Sequence, residues 1–170
     1  MKKGILAVAL LFAATTASAS EDDRGNKVSA KVEPRNEVPA VSSPASGRFR
    51  ATIDDAAQTI DYEFTFDGLQ ANILQSHIHF AQPNVNGAIV VWLCGTATNP
   101  GPAGTQPCVQ SGTISGTITP ANILTVTTQG IATGEFAELV AAIRAGLTYV
   151  NVHTVQSPGG EMRGQLRVRD

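Results

Sequence analysis

The sequence predicts an all-β domain, an antiparallel Greek-key β-sandwich or barrel, with one short helix near residues 134–145. Three observations carry this. Apolar and polar residues alternate with period two in one segment after another. Gly-, Pro- and Asp-rich punctuation recurs between those segments at the spacing of short strands. One stretch alone, "TGEFAELVAAIRAG", switches to helical spacing. Roughly eight to nine strands are expected, and no repeat of solenoid period is visible.

The first 19 residues stand apart from this pattern. "MKK" is a positive start, "GILAVALLFAATT" an apolar run too short to span a bilayer, and Ala17-Ser18-Ala19 a small-x-small cleavage site. Residues 1–19 are therefore expected to be a secretory signal peptide. The short apolar run disfavours the rival reading, an uncleaved anchor. Residues 20–27, "SEDDRGNK", read as a poorly ordered acidic tail. Residues 28–170 are then a single domain, and cleavage leaves roughly 150 residues, enough for a proper core. The expected location is outside the cytoplasm, periplasmic or secreted, with no membrane span after cleavage.

Within the domain, "KVSAKVE" is a short strand. "NEVPAVSSPASG" is a connector punctuated by Pro39, Pro44 and Gly47. "GRFRATIDD" is a strand ending at the turn pair Asp54-Asp55. Next, Ile60, Tyr62, Phe64 and Phe66 share one face and Asp61, Glu63 and Thr65 the other, as in a half-buried strand. "NILQSHIHF" follows the same rule: Leu74, Ile78 and Phe80 face one way, Gln75, His77 and His79 the other. "GAIVVWLC" is a near-continuous apolar run and reads as a central strand, with Trp92 in the core.

"SGTISGTITP" and "NILTVTTQ" read as two further strands, with Pro120 near the turn. Phe136, Leu139, Val140 and Ile143 recur at helical spacing, with Thr133 as N-cap, Glu135 in the first turn, Arg144 in the last and Gly146 just past the end. The helix should cover an open edge or end of a sheet. In "LTYVNVHT", Val150 and Val152 oppose Asn151 and His153. "SPGG" is a turn, and "EMRGQLRVR" a last strand with Met162, Leu166 and Val168 on one face and Glu161, Arg163, Gln165 and Arg167 on the other.

Two cysteines, Cys94 and Cys108, flank a Gly/Pro/Thr-rich segment. In an exported protein an even count at close spacing favours a disulfide. A pair of metal-binding thiolates is the weaker alternative, since no CxxC spacing occurs. The formal charge of −2 moves to −4 once Lys2 and Lys3 are removed. No basic cluster is visible along the chain, so no nucleic-acid partner is expected. Nor is there a phosphate loop, dinucleotide fingerprint or nucleophile elbow.

The chain has three histidines, His77, His79 and His153, all on polar faces of strand-like segments. If they converge, three imidazoles form a site for copper or zinc with one position open. Asn151, Gln75 and Glu161 are the candidates to orient the rings. The alternative is structural: three histidines hydrogen-bonded between strands. A pH-responsive role is a third reading. Glu161 and Arg163, two apart, read either as an ion pair or as an anion contact beside the histidines.

Four stretches in order, "NEVPAV" with "ASG", "HIHF" with "NGAIVVWL", "AIRAGLTYVNVHT" and "SPGGEMRGQL", make the chain resemble the CHRD (chordin-like) domain family over residues 36–166. The resemblance implies an exported all-β domain, immunoglobulin-like or superoxide dismutase-like, acting as a binding or structural module. By analogy with chordin it also implies an extracellular protein-interaction module, whose partner is an envelope or extracellular protein. "HIH" and "GGEMRGQL" are also similar to copper-zinc superoxide dismutases. That likeness implies His77 and His79 as copper ligands, Arg163 as the anion guide, and a copper-dependent redox enzyme. The copper site of that family uses four histidines, whereas this chain has three.

Overall fold

The structure, a computed structural model, describes residues 25–169. The expected signal peptide, and the acidic tail up to residue 24, lie outside the described residues.

Where the alternation is strict, the strands are long. β2 (Ser46–Asp54) and β3 (Thr59–Asp67) each bury every second residue, including Phe49, Ile53, Ile60, Phe64 and Phe66. They pair antiparallel across the Asp54-Asp55 turn, where Asp54 Oδ1 accepts a hydrogen bond from the Ala57 N–H. β1 (Lys27–Val32) adds to β2, and β6 (Gly112–Ile118) to the other side of β3. β4 (Ile73–Phe80) pairs with both β5 (Ala88–Cys94) and β7 (Thr148–Thr154), and β8 (Met162–Gln165) pairs with β7. A two-residue strand, β9 (Arg167–Val168), joins β1.

The result is two antiparallel sheets, ordered β6-β3-β2-β1-β9 and β5-β4-β7-β8. Their facing residues, among them Phe49, Phe64, Ile78, Val91, Val150, Val152 and Met162, form one core. Burying such side chains stabilises by about 1.5–3 kcal/mol each. The expected all-β sandwich is what forms. Among the described residues, no helix is long and apolar enough to cross a membrane.

The predicted helix is α1 (Phe136–Arg144), which buries Phe136, Leu139, Val140 and Ile143. It starts later than expected. Glu135, not Thr133, is the N-cap residue, and its carboxylate turns back to accept from the Ala132 N–H. Gly146 follows the C-cap with φ +69°, a conformation that favours glycine. Arg144 reaches Asp55 in the β2–β3 turn and Asn26 before β1, placing the helix across one end of the sandwich.

Two strand expectations are also corrected. "NILTVTTQ" is not a strand: short 3-10 turns occupy Pro120–Asn122 and Thr127–Gln129, and Gly130 adopts φ +84°. Its apolar residues do mark burial, since Ile123 and Val126 are in the core, but they lie three apart, and turn chemistry takes the place of a ladder. The last predicted strand is two. Leu166, buried between β8 and β9, is where the chain leaves one sheet for the other.

Cys94 and Cys108 form a disulfide, with S–S 2.03 Å. It closes the loop between β5 and β6, where Gln106 donates to the Tyr62 hydroxyl and to Ser115 O.

Candidate metal centre

In β4 and β7, alternation sends Ile78, Val150 and Val152 into the core and His77, His79, Asn151 and His153 to the opposite face of the sheet. That face is not wet. Every residue of β7 is buried, because the connector after β1 and the loops 81–87 and 157–160 fold over it. His77 is fully buried, while His79 and His153 are each 7 % exposed.

The three histidines come together. One potential ligand nitrogen from each lies within 4.8 Å of the others. The His77 ring centroid is 5.3 Å from that of His79 and 4.9 Å from that of His153. Their hydrogen bonds fix the tautomers. His79 Nδ1 is 3.0 Å from Gly87 O, and His153 Nδ1 is 2.9 Å from Pro158 O. A carbonyl only accepts, so each Nδ1 carries the proton and each Nε2 presents a lone pair.

Those two Nε2 atoms, and both ring nitrogens of His77, are buried without a hydrogen-bond partner in the protein. Burial holds all three rings neutral. It depresses the pKa of His77 to about 2, with the neighbouring His153 and His79 adding to the effect. It depresses that of His79 to about 4 against an opposing contribution from Gly87 O, and it lowers that of His153. Neutral imidazoles with converging lone pairs are the form that binds a transition metal.

The surroundings hold these rings in place. Tyr149 stacks on His79 at 4.7 Å, and the Arg163 guanidinium carbon lies 4.2 Å from the Tyr149 ring centroid. The Tyr149 hydroxyl accepts from the Gly87 N–H, so Gly87 touches both rings of the stack. A Cβ at Gly87 would collide with Phe80 O, which explains the glycine there. Arg163 Nε donates to Glu37 Oε2 at 2.9 Å in a buried ion pair. Glu37 Oε1 accepts from Asn151 Nδ2 at 2.8 Å.

The other expected residues divide. Asn151 lies beside His79. Gln75 stands opposite His153 in the β4–β7 ladder, half-buried. Glu161 is fully buried but serves elsewhere: it accepts from Ser43 Oγ, the Gln70 N–H and Thr154 Oγ1, tying three segments together. It does not pair with Arg163, whose ion-pair partner is Glu37. Each of the three Arg163 nitrogens has a protein acceptor, in Glu37, Val85 O and Asn86 Oδ1. Trp92 is not in the core cluster. Two irregularities in the β4–β5 register accompany burial of Val90, Val91, Leu93 and Cys94 together, and Trp92 turns its ring against His77, at 4.4 Å and 78°.

Sequence reasoning missed Glu37, Tyr149 and the carbonyls of Gly87 and Pro158. Tyr149 was legible, because it shares the odd-numbered face of "LTYVNVHT" with Asn151 and His153. Backbone carbonyls leave no mark in a sequence.

The family model described as CHRD domain matches residues 28–166, well over half of the chain. Neither a curated protein nor a solved structure matches it.

Proposed function

The chain belongs to the CHRD-domain family, and we propose that it is an exported binding module that holds one copper or zinc ion through His77, His79 and His153. One observation carries the reading: four imidazole nitrogens are buried together without a partner in the protein. Leaving a buried polar group unpaired costs about 1–3 kcal/mol. A purely structural trio of histidines would pair each N–H with an acceptor and each lone pair with a donor, whereas His79 and His153 pair Nδ1 alone. An ion takes up one lone pair from each ring. The His77 ring meets the Trp92 ring at near-perpendicular inclination, a geometry that allows a weak contact between the edge of one ring and the face of the other.

Zinc and copper both accept three imidazoles, with copper(II) the tighter by intrinsic affinity. Bonds of about 2.0–2.1 Å bring such nitrogens to roughly 3.5 Å from one another, so the cluster contracts somewhat on binding. The disulfide supports export, because such bonds persist in oxidising compartments. Family membership supports a binding or structural role. A dismutase-like role for Arg163 draws no support from its contacts, since its nitrogens hold Glu37 and the loop at Val85 and Asn86.

Metal analysis of the exported chain, prepared without tag histidines, tests the proposal. One equivalent of copper or zinc is expected, lost in His77→Ala and in His153→Ala. Metal-free protein whose melting temperature is unmoved by added copper or zinc would overturn it.

A further inference from the structure

Asn151 is 1 % exposed, and its Oδ1 is buried without a hydrogen-bond partner in the protein. The orientation of this amide is fixed from behind. Its Nδ2 donates to Glu37 Oε1, and a carboxylate cannot accept from a carbonyl oxygen. Glu37 is in turn held by Arg163 Nε. Gly160 packs so close that a Cβ there would press on both Asn151 Nδ2 and Glu37 Oε1. Asn151 pairs with His77 across the ladder and lies two residues before His153 on the same face. Its side chain is beside the His79 ring.

The neighbouring atoms make the position chemically one-sided. Nε2 of His79 and of His153 are lone pairs, because Nδ1 carries the proton in each ring. Neither can donate to Oδ1. With one lone pair of each of the three rings given to the metal, the Asn151 oxygen beside His79 is the acceptor left over. What satisfies the oxygen is a group that gives a lone pair to the metal and a proton to an acceptor.

We infer that Asn151 completes the metal centre: its Oδ1 receives a hydrogen bond from a small protic ligand, water at rest, in the position that the three imidazoles leave open. This rests on the metal-binding reading. It makes the centre an open one that selects its fourth ligand. Water, hydroperoxide or an alcohol can donate to Oδ1. Azide, halide or a carboxylate brings a further lone pair against it and is disfavoured.

Copper(II)-loaded full-length chain provides the test. Water-proton relaxation should show an exchangeable water on the copper. Azide, followed by its charge-transfer band at saturating copper, should bind the Asn151→Leu variant about tenfold more tightly than the wild type, because a buried acceptor no longer opposes it. Copper bound without an exchangeable water, as when the amide oxygen itself ligates the ion, overturns the inference and leaves the metal site standing. So does equal azide affinity in the two proteins. If the wild type holds neither copper nor zinc, both readings fall together. The relaxation measurement needs no variant, so misfolding of Asn151→Leu would not protect the inference.

Discussion

Tyr149 stacks on His79 with ring centroids 4.7 Å apart and planes within 2°, and the guanidinium of Arg163 rests 4.2 Å from the centre of the same tyrosine ring. The ladder order explains this layering, because β7, which carries Tyr149, runs between β4 and β8. A candidate ligand is thus buttressed by an aromatic ring and a buried ion pair, and its angular freedom is small before any metal arrives. Such preorganisation is what separates a site from three neighbouring polar residues.

Trp92 reports on this site directly. It is the only tryptophan, and its ring is 4.4 Å from that of His77. Copper(II), which quenches an excited indole by electron transfer, should reduce the fluorescence with saturation at one equivalent. Zinc, which has no accessible redox state, should shift it without comparable loss. Undiminished emission at saturating copper would place the ion elsewhere.

The Glu37–Arg163 pair should be expensive to break from one side. Both side chains are nearly inaccessible, at 2 % and 5 % exposure. Glu37→Ala leaves a buried guanidinium without its counter-charge, and a loss of about 3–5 kcal/mol in urea unfolding is expected. Arg163→Ala should cost a similar amount and also release the Val85–Asn86 loop. The double variant should cost clearly less than the two losses added. Simple additivity would mean that the pair does not act as a unit.

How much of this could be read from the chain depends on what leaves a periodic trace. Alternation from Ile60 to Phe66 gave β3 its buried and exposed faces as they stand. The same rule put His77, His79, Asn151 and His153 on polar faces, and β-pairing of distant segments then brought them together. It could not show that this face is covered. The cover is made by loops whose packing follows side-chain hydrogen bonds such as Arg163 to Asn86, not periodicity. For the same reason Glu161 looked like a neighbour of the histidines: it precedes Arg163 by two residues, yet it lies outside β8, and its carboxylate turns toward Ser43 and Gln70.

Gly160 should be intolerant of a side chain for a reason specific to the site. Its φ is +128°, and a Cβ there would fall against Asn151 Nδ2 and 2.5 Å from Glu37 Oε1. Gly160→Ala is expected to lose about 2–4 kcal/mol of stability and to weaken copper binding. Gly104 is the control, since its φ is also positive, at +89°, but nothing lies within 4 Å of its missing Cβ. Gly104→Ala should show only the backbone penalty, of order 1 kcal/mol. Equal effects at the two positions would remove the steric argument.

The Cys94–Cys108 bridge should matter for stability more than for the metal. It closes a loop of about 15 residues, worth roughly 3 kcal/mol in the chain-entropy model. Cys108→Ser should lower the unfolding free energy by about that amount while copper stoichiometry stays the same. Loss of metal along with the bridge would show that the β5–β6 loop supports the histidines through Trp92.

Acid should destabilise the metal-free protein in a pH window set by the histidines. An unfolded histidine takes up its proton near pH 6.5, whereas in the folded protein burial depresses the pKa of His79 to about 4 and that of His77 to about 2, and lowers that of His153. Above pH 7.5 both states are neutral and stability is flat. As pH falls through 6.5 the unfolded chain binds protons that the folded chain refuses, so stability falls, by up to about 1.4 kcal/mol per pH unit for each histidine. For His79 the decline ends near pH 4, where the folded form protonates as well. The chain has only these three histidines, so between pH 6.5 and 5 no other side chain of ordinary pKa contributes. Urea midpoints of the metal-free protein should therefore drop from pH 7.5 to 5.0, and His79→Gln should make that slope clearly shallower. A midpoint that does not move over this range would mean that the folded rings take up protons as readily as the unfolded ones, and burial would then not be what holds the cluster neutral.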